Sequence, residues 1–312
     1  MATTRPARAA TTTIGKNIRR RLSSGRWGKL QRPALALSLV ILFSSIGWYV
    51  GASLRTDVYT EGFQILRAKG VKDAQTYWEK HSERGELGAF VGLGYLYLED
   101  NPDDADRLLT CAAAEGDQLI RAQALYFLGH LRQSGPCDEV VAAYAESMYL
   151  FEKLDMPFYC FQSRVMLAWS YHACDRNEDA RAVFLKAAAN RPEKAKTGRL
   201  WSLGARIEWR NGNASGAITF GERALAETVE VRMRNHILTA LAYYHILSGT
   251  LERGEELNNQ AKDGLYIRLN KYALARCRGE DVSPWLPEIQ KEIESGNDHL
   301  RELFEEINRV CD

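Results

Sequence analysis

Side chains able to do chemistry are sparse and scattered in this chain of 312 residues. Its six histidines form no group. No stretch spells a phosphate-cradling Gly-x-x-x-x-Gly-Lys-Ser/Thr loop, a His-Glu-x-x-His metal helix or a Gly-x-Ser-x-Gly nucleophile turn. Gly92-Leu93-Gly94 sits in a helical pattern with no strand before it, so it is not a dinucleotide loop. His172-Ala173-Cys174-Asp175 offers ligand types side by side, but a metal site needs a second cluster and the sequence supplies none. The expectation is a non-catalytic protein with no cofactor and no metal.

The six cysteines stand at 111, 137, 160, 174, 277 and 311. Cys160 and Cys174 bracket one predicted helix, about 21 Å apart by helical rise, too far for a disulfide. Cys137 and Cys174 fall near turns of successive predicted helix pairs, and Cys277 and Cys311 fall near the closing helices. In an oxidising compartment these four are the candidates for disulfides; as free thiols they would be ordinary small core residues.

The elements that carry these residues are set out around one apolar run. Pro33 to Leu54 holds no charge over 22 residues and is rich in Leu, Ile, Val and aromatics. As a helix it would reach roughly 33 Å, enough to cross a hydrocarbon core of about 30 Å. Before it, residues 1–32 carry nine Lys or Arg and no acid, the mark of a flank kept in the cytoplasm. The remaining 32 basic residues face all 40 acidic ones, about −8 for the large part, which argues against nucleic acid as its partner. The expected organisation is a basic cytoplasmic tail (1–32), a transmembrane helix (33–54) and an extracytoplasmic domain, as in a bacterial inner-membrane protein facing the periplasm. Val50-Gly51-Ala52 also suits a signal-peptide cleavage site, the Arg-rich, acid-free tail also reads as a mitochondrial transit segment, and Arg19-Arg20 as a twin-arginine signal. A buried helix of a soluble protein is the remaining alternative for the apolar run.

After Thr56 the pattern is helical throughout, with apolar residues three and four apart and breaks at Gly, Pro, Asn and Asp. In 161–192, Leu167, Ala168, Tyr171, Ala180, Phe184, Ala187 and Pro192 stand at seven signature offsets of a tetratricopeptide repeat, with Arg164 where a Trp is usual. The segment resembles that family, and Ala112-Ala113-Ala114-Glu115-Gly116-Asp117 is similar to its Sel1-like variant. Looser copies recur around Leu128-Gly129, Leu203-Gly204 and Leu241-Ala242. The fold expected is an all-α, TPR-like solenoid of antiparallel helix pairs: about six pairs over 55–263, then capping helices over 264–312. Ser283-Pro284 would start one of these and Asn297 would cap the last, with Arg301, Glu302, Glu305 and Glu306 on its wet face.

The resemblance implies that the first helix of each pair lines a groove for a peptide or helix. The family's exposed offsets carry over to Tyr95, Tyr126, His130, Trp169, His172, Trp201, Glu208, Trp209, His236 and Tyr243, a set rich in rings that give large contact area at small rotamer cost. Some of these rings would instead pack between units. The function expected is a membrane-anchored scaffold binding a protein partner, as assembly factor or subunit of a membrane complex. A protein-import receptor with its solenoid in the cytosol, and a ligand-sensing regulator whose tail contacts a cytoplasmic enzyme, are the other readings. Asn213-Ala214-Ser215 spells a glycosylation acceptor.

Overall fold

The computed structural model describes residues 57–311 apart from 194, 196 and 263. The basic tail and the expected crossing at 33–54 lie outside these residues. Among the described residues no helix is long and apolar enough to cross a membrane. They form fifteen helices and no strand: α1 (Val58–Lys69), α2 (Val71–Ser82), α3 (Leu87–Tyr97), α4 (Pro102–Glu115), α5 (Gln118–Leu131), α6 (Cys137–Lys153), α7 (Pro157–Ala173), α8 (Asn177–Ala189), α9 (Gly198–Arg210), α10 (Ala214–Glu227), α11 (Val231–Leu247), α12 (Leu251–Gln260), α13 (Leu265–Arg278), α14 (Leu286–Glu294) and α15 (Asp298–Val310). The chain divides after Ser170 into two compact units.

In the first unit α1 packs with α2, α3 with α4 and α5 with α6, each pair closed by a short turn that makes its helices antiparallel. The helices begin where backbone N–H groups find acceptors: the Asp57 carboxylate accepts from Thr60 N and that of Asp117 from Leu119 N and Ile120 N. Small residues let the helices approach. Trp78 is wholly buried between Gly62 and Gly92, and a Cβ on either glycine would stand 2.1 or 2.2 Å from its indole. The indole Nε1 donates to Val58 O at 3.1 Å, so the ring is satisfied as well as packed.

The second unit repeats the device. A Cβ on Gly204 would meet the Phe184 ring at 2.2 Å, and α9 packs closely on α10, as α11 does on α12. Helices α13, α14 and α15 close its core, with Ile289, Leu300 and Ile307 fully buried alongside Leu241, Leu257 and Ala273. The Asn297 side chain caps α15 by accepting from Leu300 N at 3.0 Å. The expected start of α14 at Ser283-Pro284 is corrected to Leu286. The Asp281 carboxylate takes the backbone N–H and the hydroxyl of Ser283 into a turn, leaving Pro287 as the proline of the first helical turn.

Candidate functional site

The ten residues expected to line a groove divide sharply by burial. Tyr95, Tyr126, Trp201, Glu208 and Tyr243 are buried, His130, Trp169, His172 and Trp209 are half-buried, and His236 is exposed. In the first unit Tyr95 lies between Phe63 and Phe127, ring centroids 5.0 and 5.3 Å away, and burial pushes its phenol up to about 12. Tyr126 packs edge-on against Phe127, His130 and Tyr144. His130 lies in the same stack with its Nε2 buried and unpartnered among the described residues, and burial lowers its imidazole to about 4. Beside them Tyr59, Gln123, Tyr126, Phe127, Phe151, Tyr159 and Gln162 enclose a cavity with room for about one water. Its wall is mainly apolar, and two of its residues carry buried atoms unpartnered among the described residues, Gln123 Oε1 and the Tyr126 hydroxyl.

In the second unit Trp201 is an interior residue. It stacks on Phe220 with an interplanar angle of 7°, carries the Arg223 guanidinium 3.7 Å from its ring centroid, and donates from Nε1 to Glu227 at 2.8 Å. Glu208, 1 % exposed, accepts from Arg181 Nε at 2.8 Å and from Asn213 Nδ2 at 2.6 Å. That second bond also engages the would-be glycosylation asparagine, whose Oδ1 caps α10 by accepting from Gly216 N. Trp201 and Glu208 thus tie α9 to its own unit.

What α9 presents outward is the neighbouring stripe, Arg206, Trp209 and Arg210, three and four residues apart on one face. The closing helix α15 is seated on it. Glu306 accepts from the Trp209 indole Nε1 at 3.1 Å and from the Tyr243 hydroxyl at 2.7 Å, while Glu302 pairs with Arg210 at 2.7 Å. Glu302 lies on the wet face as expected, exposed while it pairs with Arg210; the expectation is corrected for half-buried Glu306, whose carboxylate reaches across to α9 and α11. Trp209 also stacks on Tyr244, ring centroids 4.8 Å apart, which fixes the indole edge toward Glu306.

Arg206 is exposed and its charge is felt on three other elements. His172 at the end of α7, His236 on α11 and His299 on α15 are each held below the usual imidazole range, first by partial desolvation; the field of Arg206 adds to this at all three, behind that of Arg232 at His236. Arg210 adds to this field at His172 and His299, and Arg232 at His236. His172 also bonds through Nδ1 to Asn177 Oδ1 at 3.3 Å. The face of the second unit is thus a set of cations and imidazoles beside two rings. Arg206 was not among the residues the family offsets selected. Its spacing of four from Arg210 was the available signal.

No three His, Cys, Asp or Glu among the described residues stand close enough to hold a metal ion. Cys277 and Cys311 are joined by a disulfide between α13 and the end of α15, Cys137 and Cys174 are each disulfide-bonded, and Cys111 and Cys160 are free thiols.

No family model matches the sequence, and no curated protein does. Solved structures do match in fold. One is a Rap protein complexed with competence and sporulation factor, at a TM-score of 0.54 and 11 % identity, over 96 % of this chain and 86 % of that one. With the helix pairs above, this likeness gives the described residues an all-helical, TPR-like fold.

Proposed function

We propose that the chain is a non-catalytic binding module that holds a segment of another protein on the face of the second unit marked by His172, Arg206, Trp209, Arg210 and His236. The observation that carries this reading is the surface bordering the seat of α15, where Arg206 on α9 and His236 on α11 are both exposed. Arg and Trp are the side chains that most often dominate protein interfaces. A structural neighbour of this fold holds competence and sporulation factor, which lends support to a peptide or protein as the occupant. Trp169, half-buried in the first unit, is proposed as a contact residue there on its accessibility alone.

The apolar run 33–54 would place this module at a membrane, with the basic tail in the cytoplasm and the helical units outside it. Protease added to intact cells, and to spheroplasts or organelles, reads the topology: cleavage of the large part only after the outer barrier is opened supports this placement, and its loss in the cytosolic fraction contradicts it. The binding role is tested by affinity capture of the full chain from detergent-solubilised native membranes, comparing wild type with His236→Ala and Arg206→Ala. Loss of a co-purifying protein in both variants, with unchanged helical circular dichroism, supports the role. Unchanged recovery in both removes this face from it.

A further inference from the structure

We infer that α15 is a latched occupant of a helix-binding seat. The seat is formed by α9, α11 and α13, the chain fills it with its own last helix, and the Cys277–Cys311 disulfide decides whether a partner's amphipathic helix of the same pattern takes its place. This deepens the binding role proposed above and rests on it, naming the form of the occupant and the control on its entry.

Helix α15 lies in this seat as a bound helix would. Leu300, Leu303, Phe304 and Ile307, at positions i, i+3, i+4 and i+7, make its apolar stripe. Each helix of the seat meets it with a ring that has a polar edge. Trp209 of α9 and Tyr243 of α11 both donate to Glu306. Tyr272 of α13 lies with its ring centroid 5.0 Å from that of Phe304 and donates to Asn308 Oδ1 at 2.6 Å. Rings of this kind are the side chains that anchor partners at interfaces.

The attachment of α15 is slight. Of its 13 residues only Leu300 and Ile307 are buried, against ten of the 17 in α11. The preceding α14 buries Ile289 alone. The Arg210–Glu302 pair is exposed on both sides. An element held by so few buried side chains opens at low cost. Gly296, at φ +96°, makes the turn by which α15 leaves α14. At the other end Cys311, just past α15, is bonded to Cys277 on α13, and both residues are half-buried, within reach of a reductant. A dithiol would pass two electrons and two protons to this bond, ending as a disulfide itself and leaving two thiols on the chain. With both ends fixed, α15 stays in the seat. With the Cys311 end free it swings out at Gly296, and a helix in trans then competes with a tethered occupant instead of a locked one.

The test uses the full chain in detergent and a fluorescein-labelled peptide of residues 297–310. Oxidised wild type should bind it weakly, and Cys311→Ser, which keeps the bonds of Cys137 and Cys174, should bind it tenfold or more tightly. Dithiothreitol should raise the affinity of wild type by a similar factor and that of Cys311→Ser by little. A peptide with Glu306→Lys should bind the variant tenfold or more weakly. Hydrogen exchange should rise in 298–310 of Cys311→Ser while α9 and α11 stay protected. Equal binding by oxidised wild type and Cys311→Ser, no binding by either, or an equal gain from dithiothreitol in both would overturn the inference. So would loss of protection in α9 and α11 together with α15, which would make α15 an inseparable part of the core. Capture of a native protein that depends on Arg206 and His236, with none of these peptide effects, would leave the binding role standing and overturn the latch.

Discussion

The indole of Trp209 donates to Glu306 across 97 residues of chain, and the same carboxylate accepts the Tyr243 hydroxyl, so one acidic side chain of the last helix fastens α15 to both α9 and α11. Hydrogen bonds to a charged group are each worth about 1.5–3 kcal/mol, less where water competes. Glu306→Ala should therefore lower stability by about 1–3 kcal/mol in urea titrations, and Glu306→Gln, which keeps an acceptor, by less. Tryptophan emission should shift with Glu306→Ala because the Trp209 edge becomes wet.

Packing around Trp78 makes a sharper prediction. The glycines on both sides of its ring leave no room for a methyl group, so Gly92→Ala should cost about 1–3 kcal/mol as the indole is forced aside. Trp78→Ala should cost about 3–5 kcal/mol through the cavity it leaves. Chemical denaturation followed by circular dichroism separates the two, and the pair together should fall short of the sum because the sites touch.

Acid should loosen the first unit through His130. Its imidazole falls from 6.5 to about 4 on folding because burial takes the ring out of water and penalises the charged form. The unfolded chain then binds more protons than the native one between these values. The contribution is fully present above pH 6.5 and is lost progressively as pH falls toward 4, by roughly 3 kcal/mol in total. In urea titrations at pH 7 and pH 4.5, wild type should lose more stability than His130→Phe. An equal loss in both would assign the acid sensitivity elsewhere.

The link from Cys277 to Cys311 closes a loop of 34 residues and holds the end of α15 against α13. Chain-entropy reasoning gives such a cross-link about 3–4 kcal/mol. Cys311→Ser, or reduction of the wild-type protein, should lower the melting temperature, and reductant should have a smaller effect on the variant.

The helical pairing was readable in the sequence because it rests on local signals. Gly70, Gly85, Gly212, Gly249 and Gly296 mark breaks at positive φ, and Asn297 marks a cap, all without long-range information. Which residues face outward was not readable to the same degree. On α9 the interior Glu208 lies between the outward Arg206 and Arg210, two positions to either side, so a slip of two positions exchanges an interior residue for an outward one. Family offsets carried over from a strong repeat lose that register in looser copies. The engagement of Glu302 and Glu306 was hidden for a different reason. Charged residues on one side of an amphipathic terminal helix look solvated until the tertiary partner is known, and Trp209 lies 97 residues away.

Site-specific photocrosslinking tests the central claim most directly. With p-benzoylphenylalanine in place of His236 in the full-length chain, irradiation of native membranes should give a discrete adduct to another polypeptide, and Arg206→Glu in the same chain should diminish it. Adducts confined to the chain itself, or an adduct whose yield ignores Arg206→Glu, would contradict a partner seated on this face.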